Sequence, residues 1–201
     1  MLSPYRVLDL TNEHGLLCGQ LLADLGADVI RIEPPGGGPA RQAAPFAGDV
    51  ADLNHSLPFV HFNTNKRSIV LDLGNADDRR TVMRIAAEAD AVVEDYPPGQ
   101  LAGLGLGYEE LSRTNPALVV TSVTPFGQTG PHSQWQGNDL IAQAMSDWLF
   151  NVGGEGDQPC SGPGDPSIHI GGTHAALGTL LALYARRATG IGQHVDVSLQ
   201  E

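Results

Sequence analysis

The run 5-YRVLDLTNEHGLLCGQLLADLGADVIRIE-33 decides the fold. YRVLDL (5–10) is a short apolar run containing a β-branched residue, and it reads as a strand. GLLCGQLLADLG (15–26) places apolar residues at helical spacing and closes on Gly26, the residue type best suited to the left-handed turn that ends a helix. ADVIRIE (27–33) is a second strand. Two strands joined by a helix of this length make a βαβ unit, so they are expected to run parallel with a right-handed crossover.

The alternation continues outward from this unit. Strands are expected at 68–73, 90–95, 117–123 and 194–199, and helices at 76–89, 98–103, 108–114, 139–153 and 171–187. Pro, Gly and Ala dominate 34–58, a long irregular excursion of the kind that is usually functional or mobile. The stretch 125–137 reads as a loop and 153–166 as a connection. Strands alternating with helices imply an α/β fold with a mostly parallel sheet, and no internal repeat divides 1–201. Ligands of such sheets bind outside the carboxyl ends of the strands, here 9–15, 32–37, 94–99 and 123–130.

Composition narrows the function. The 201 residues include 23 acids and 11 Lys plus Arg, a net charge of −12. That balance argues against a nucleic-acid partner, which needs a basic stripe. No apolar run is long enough for a membrane helix. Cys18 and Cys160, far apart in a chain without a signal peptide, are expected to be free thiols in a reducing, cytoplasmic setting. There is no G-x-G-x-x-G after the first strand, no phosphate-loop motif, no zinc spacing and no G-x-S-x-G.

Three stretches carry candidate chemistry. NTNKRS (63–68) brings Lys66 and Arg67 together before a strand, either as an anion site or as a solvated pair. EDYPPG (94–99) ends a strand with Asp95 and Tyr96 ahead of two prolines, which could hold the aromatic ring out as a stacking face or simply make a turn. In 163-PGDPSIHIGGTHAALG-178, Asp165 is a candidate carboxylate or a helix cap, and His169 a candidate acid–base group or a structural histidine. Gly171 and Gly172 read as the start of the following helix.

In order along the chain, 7-VLDLT-11, 21-LLADLGADVIRIEPPGG-37, 63-NTNKRSIVLDL-73, 94-EDYPPG-99, 104-LGLGYEEL-111, 126-FGQTGP-131, 138-NDLIAQAMS-146 and 189-TGIGQHVDVSLQE-201 resemble the family III CoA-transferases. That group includes formyl-CoA transferase, carnitine CoA-transferase and the 2-methylacyl-CoA racemases. The resemblance implies a Rossmann-like large domain acting on coenzyme A or acyl-CoA as substrate, with no covalently bound cofactor. It implies transfer of CoA between an acyl thioester and a carboxylic acid. It also implies an interlocked homodimer, or pairing with a second CoA-transferase domain. Family chains are roughly twice as long, so 1–201 is expected to be an incomplete large domain lacking the small domain and return segment.

The same resemblance locates a discrepancy. Family transferases attack the thioester with an aspartate four residues before a glycine that corresponds to Gly172, which puts Ile168 in its place. The racemases space their acid one residue earlier, at Ser167, and their histidine falls on Asn138. The nearest acid is Asp165, three residues away. Two cations common in the family are replaced by Gly74 and Gly103. His14, Lys66, Arg67, Asp95 and Tyr96 remain as the expected CoA contacts, with Asp165 and His169 as the candidates for chemistry. The chain therefore reads either as a transferase lacking the usual aspartate or as a degenerate domain paired with an active copy, with racemisation disfavoured.

Overall fold

The computed structural model describes residues 1–154 and 156–201 and contains a six-stranded parallel sheet. Strands β1 (Arg6–Leu10), β2 (Asp28–Glu33), β3 (Arg67–Val70), β4 (Ala91–Glu94), β5 (Val119–Thr124) and β6 (His194–Ser198) lie in the order β3-β2-β1-β4-β5-β6. Leu8 of β1 stands opposite Ile30 of β2 on one side and Val92 of β4 on the other. This is the doubly wound Rossmann order, with the topological switch point between β1 and β4. The central strands are near-continuous apolar runs because helices cover both faces of the sheet.

On one face lie α1 (Leu16–Asp24), the short α2 (Leu57–Phe62) beside it, α6 (Asp139–Met145) and the long α7 (Pro166–Thr189). Their core joins Cys18 and Leu22 of α1 and Ala175, Ala176 and Leu183 of α7 to Val7, Val29, Val93 and Val119. On the other face, α3 (Ala76–Ala87), α4 (Gln100–Gly103) and α5 (Tyr108–Thr114) pack Val82, Ala86, Leu101 and Leu111 onto Leu8, Ile32, Val92 and Val120.

The placement of α7 is unusual. β4 and β5 are joined through α4 and α5 on one face, whereas β5 and β6, continuing in the same direction, are joined through α7 on the other. The β5–α7–β6 connection is therefore of opposite hand to the right-handed units. As a result α7 lies directly beside α1, and both N-termini stand at the carboxyl edge of the sheet.

Two glycines make that packing possible. A Cβ at Gly172 would lie 2.9 Å from the Leu17 Cβ, and one at Gly171 only 2.3 Å from a Leu199 methyl. They do not open α7, as their sequence context implies. They sit inside it, and Pro166 occupies the first turn, where its missing N–H costs nothing. Gly26 has the expected role, with φ +98° just past α1 and the Ala27 N–H donating to the Leu22 carbonyl.

Other boundaries differ for local reasons. Within 34–62 the chain forms two 3-10 turns, Pro39–Gln42 and Ala47–Asp49, and then α2, whose first turn is capped by the Ser56 hydroxyl accepting the Phe59 N–H. The helix expected over 139–153 ends at Met145, because Asp147 takes φ 62° before the 3-10 turn Leu149–Asn151. β3 stops at Val70 instead of 73, where Asp72 accepts the Gly74 N–H and begins a turn.

A buried ionic cluster ties the front of this half together. Lys66 donates to Asp9 Oδ2 at 2.6 Å, to the Leu16 carbonyl and to Asn63, and its side chain is 1% exposed. Burial works against ionisation of Asp9, but the Lys66 charge and then Arg31 hold its carboxyl below the ordinary range. The pair lies directly under α1: a Cβ at Gly19 would meet Asp9 Oδ2 at 2.5 Å, so only glycine fits there.

Lys66→Met should destabilise the fold by about 3–5 kcal/mol, because it leaves Asp9 charged and buried without its nearest cation. Urea denaturation measures this, and a loss below about 1 kcal/mol with the fold retained would contradict the structural role assigned to Lys66.

Candidate functional site

The carboxyl edge of the sheet holds two cavities that share Asn12, Glu13 and Pro39 in their walls. The larger, of about 710 Å³, lies between the first turns of α6 and α7 and the 39–62 region, with Phe62, Asp139, Asp165, Ile168 and His169 in its lining. The smaller, of about 530 Å³, lies over the ends of β1, β4 and β5, against His14, Asp95, Tyr96, Thr124 and Trp135. Together they form one cleft at the position where open α/β sheets bind ligands.

Asp95 lines the second cavity and also shapes its wall. Its carboxylate turns into the β1–α1 loop and accepts the backbone N–H groups of Asn12, Glu13, His14 and Gly15 at distances between 2.7 and 3.2 Å. This turn and helix N-terminus form the nest that holds phosphate in nucleotide-binding relatives of the fold. Here the chain's own carboxylate fills it. Tyr96 follows directly, and burial raises its phenol pKa. The His14 backbone is held by Asp95, while its ring Nδ1 makes no hydrogen bond among the described residues.

The first turn of α7 is held in a comparable way. The sequence marks Asp165 as a possible cap, but it takes φ 53° and ψ 57° and its side chain caps nothing. Asp139 does so instead: its Oδ1 accepts the Ser167 N–H at 2.8 Å, and Ser167 Oγ donates back to the Asp139 carbonyl. Gln143, 1% exposed, donates to the same carboxylate and accepts the Gly162 N–H. Asp139 and Gln143 therefore hold the 161–168 approach to α7 from α6. Asn138 caps α6, accepting the Ile141 N–H at 3.0 Å. His169 Nδ1 lies 2.9 Å from the Asp165 carbonyl oxygen, which can only accept, so that nitrogen carries the proton. Its ring leans on Phe62 at the cavity wall.

The expected site residues thus separate into two groups. His14, Asp95, Tyr96, Asp165 and His169 are brought together along the cleft. Lys66 and Arg67 are not in its lining. Lys66 is spent on Asp9, and Arg67 pairs with Asp28 at the far end of β2 and β3. Among the described residues, no lysine or arginine lines either cavity, while Glu13, Asp95, Asp139 and Asp165 do. The sequence reading passed over Asp139, Thr124 and Trp135. The only sequence signal for Asp139 is its place beside Asn138 at the start of an expected helix.

Behind the cleft, Glu94 ends β4, is 6% exposed and accepts the Tyr96 N–H at 2.8 Å. Burial pushes its carboxyl up to about 7; Ser122 and the Tyr96 N–H oppose the rise, and Asp95 and Asp196 add to it. The folded state therefore holds this proton more tightly than the unfolded chain. The resulting stabilisation is complete below the ordinary pKa of 4.5 and is lost as pH rises through about 7. Glu94→Gln should flatten the stability profile across that window. An unchanged slope in urea titrations at a series of pH values would refute this assignment.

The model for CoA-transferase family III matches residues 2–201. The chain is 42% identical over 199 residues to a protein named succinyl-CoA:(R)-benzylsuccinate CoA-transferase subunit BbsE from Thauera aromatica, covering 99% of this chain and 48% of that protein. It is 41% identical over 197 residues to acetyl-CoA:oxalate CoA-transferase from Acetobacter aceti, covering 96% of this chain and 49% of the relative. The crystal structure of a CAIB/BAIF family protein from Brucella suis superposes with a TM-score of 0.92 at 34% identity, covering 99% of this chain and 53% of that one. The chain thus spans about half the length of the curated relatives it matches. It belongs to CoA-transferase family III.

Proposed function

We propose that this chain forms the CoA-binding cleft of a transferase that moves CoA between an acyl-CoA thioester and a carboxylic acid, and that the attacking carboxylate comes from a second chain or domain. One observation carries the second half of this reading. At the first turn of α7, where the resemblance places the attacking aspartate, the wall of the 710 Å³ cavity presents Ile168. A branched hydrocarbon cannot form the mixed anhydride through which the family divides acyl transfer into two steps.

The neighbouring acids are poorly placed to substitute. Both oxygens of Asp139 are engaged, by Ser167 and Gln143, at the base of α7. Asp165 stands three residues upstream, outside the helix and in a left-handed conformation. Racemisation needs an acid–base pair on either side of a carbon, and Asn138 and Ser167 are both occupied as helix-terminus contacts.

Pairing with another CoA-transferase domain has two supports. A relative at 42% identity carries the word subunit in its name. The outer face of α7 also exposes Ile170, Leu177, Leu181 and Tyr184 in one stripe, an apolar surface suited to contact with another domain. The donor and acceptor classes follow from the relatives' names: thioesters of small acids, and dicarboxylic acids as acceptors.

The test is an acyl trap on the complete protein, together with any partner that co-purifies. Thioester is added, the anhydride is captured with hydroxylamine, and the modified residue is mapped by mass spectrometry. The label should fall on an aspartate outside residues 1–201. Label on Asp165 or Asp139, abolished by the corresponding alanine variant with the fold intact, would overturn the reading.

A further inference from the structure

Arg31 is the one guanidinium of the buried cluster left without a close partner. Its side chain is 1% exposed, yet Nε and Nη1 make no hydrogen bond among the described residues. Its approach to Asp9 is 3.7 Å, too long for a hydrogen bond. Asp9 is hydrogen-bonded by Lys66 and Glu33 by Arg41, while Arg31 meets Asp9 only as an ion pair at 3.7 Å, so its hydrogen-bond donors are the surplus of the cluster. A buried guanidinium with free donors is strongly biased toward an oxyanion, which its planar fork matches in geometry.

Arg31 lies just behind the cleft wall. A Cβ built on Gly38 would stand 3.7 Å from Arg31 Nη2, 3.6 Å from Asn12 Oδ1 and 3.9 Å from Pro34 Cδ. Gly38 therefore leaves a gap bounded by these three groups, next to Asn12 and Pro39, which line both cavities. The charge also reaches Tyr96 in the smaller cavity. Burial raises that phenol, while the Asn12 side chain and the Arg31 charge draw it down. The preceding Gly36 and Gly37 hold φ of +84° and +82°, in a turn closed by the Gly37 N–H donating to the Pro34 carbonyl.

We propose that Arg31 is a concealed oxyanion-binding group at the floor of the cleft, reached through the gap at Gly38, and that it takes a carboxylate or phosphate oxygen of the bound ligand. Because no lysine or arginine among the described residues lines the cavities, Arg31 is the cation placed to meet an anion there. The identity of the ligand rests on the function proposed above, whereas the anion site itself does not.

Two variants test the site. Gly38→Ala adds a methyl that makes only ordinary contacts, so the fold is kept while the gap is filled. Arg31→Lys keeps the charge beside Asp9 but loses the fork. Calorimetry on the complete protein is run with succinate, inorganic phosphate, CoA and pantetheine, which has the arm of CoA without its phosphates. Both variants should weaken at least one anionic probe by about tenfold or more, with pantetheine unchanged. A loss confined to succinate assigns the site to the acid's carboxylate; a loss confined to CoA and phosphate assigns it to a phosphate. The proposal is overturned if both variants bind every probe like the wild type, if no anionic probe binds the wild type, or if pantetheine is weakened equally. Arginine-dependent binding without CoA transfer would leave the anion site standing and remove the transferase reading. Transfer unaffected by either variant, with every probe bound as by the wild type, would do the reverse.

Discussion

The carboxylate of Asp95, seated in the β1–α1 turn, is the contact on which the cleft depends. It joins the end of β4 to the start of α1 across the switch point, where the crossovers leave for opposite halves of the sheet and a doubly wound sheet opens its crevice. A helix N-terminus there presents unpaired N–H groups and a partial positive charge, so some anion must satisfy it. In a nucleotide-binding sheet that anion is a phosphate. Here it is an aspartate of the same chain, which closes the usual phosphate site and moves the ligand space outward, onto Tyr96, His14 and Trp135.

The same solution appears at α7, where Asp139 of α6 accepts the Ser167 N–H. The two helices stand side by side because the β5–α7–β6 connection crosses on the face that already carries α1. Gly172 lets their backbones approach, and Gly171 makes room for Leu199 after β6. The cleft is therefore built between two helix starts that each already hold a carboxylate of the chain. An anionic ligand there also meets the carboxylates of Glu13 and Asp165 in a chain of net charge −12. Lys66, the obvious candidate for relief, lies under α1 holding Asp9. Arg31, behind Asn12, is the cation whose donors are left without hydrogen bonds among the described residues, and on the proposal above it is the group that favours a negative ligand.

Much of the fold was legible in the residues. Apolar runs of strand length alternating with helical periodicity required a parallel α/β sheet, since parallel neighbours need a crossover between them. The helical segment 108–114 coincides with α5, and Gly26 ends α1 as its context implied. The short α2 and the early end of α6 were not legible, because a six-residue helix and a left-handed Asp147 leave almost no periodic trace.

The sequence by itself determined the family, the strand–helix order and the absence of an acid at Ile168, because each is written in residue type and spacing along the chain. The tertiary structure alone decided which charges are available to a ligand. Lys66 and Arg31 are both cations beside apolar strand residues in the sequence, and nothing local separates them. Lys66 is hydrogen-bonded to Asp9, 57 positions away, whereas Arg31 reaches the same carboxylate only at 3.7 Å and its Nε and Nη1 make no hydrogen bond among the described residues. Asp95, expected as a CoA contact, and Asp139, at the start of an expected helix, hold the N–H groups of residues 12–15 and of Ser167 only because the fold brings those groups to them. Charge pairing depends on distance in space, and for these residues that distance is set by the strand order that brings β1 to β4 side by side and by the packing of α6 against α7.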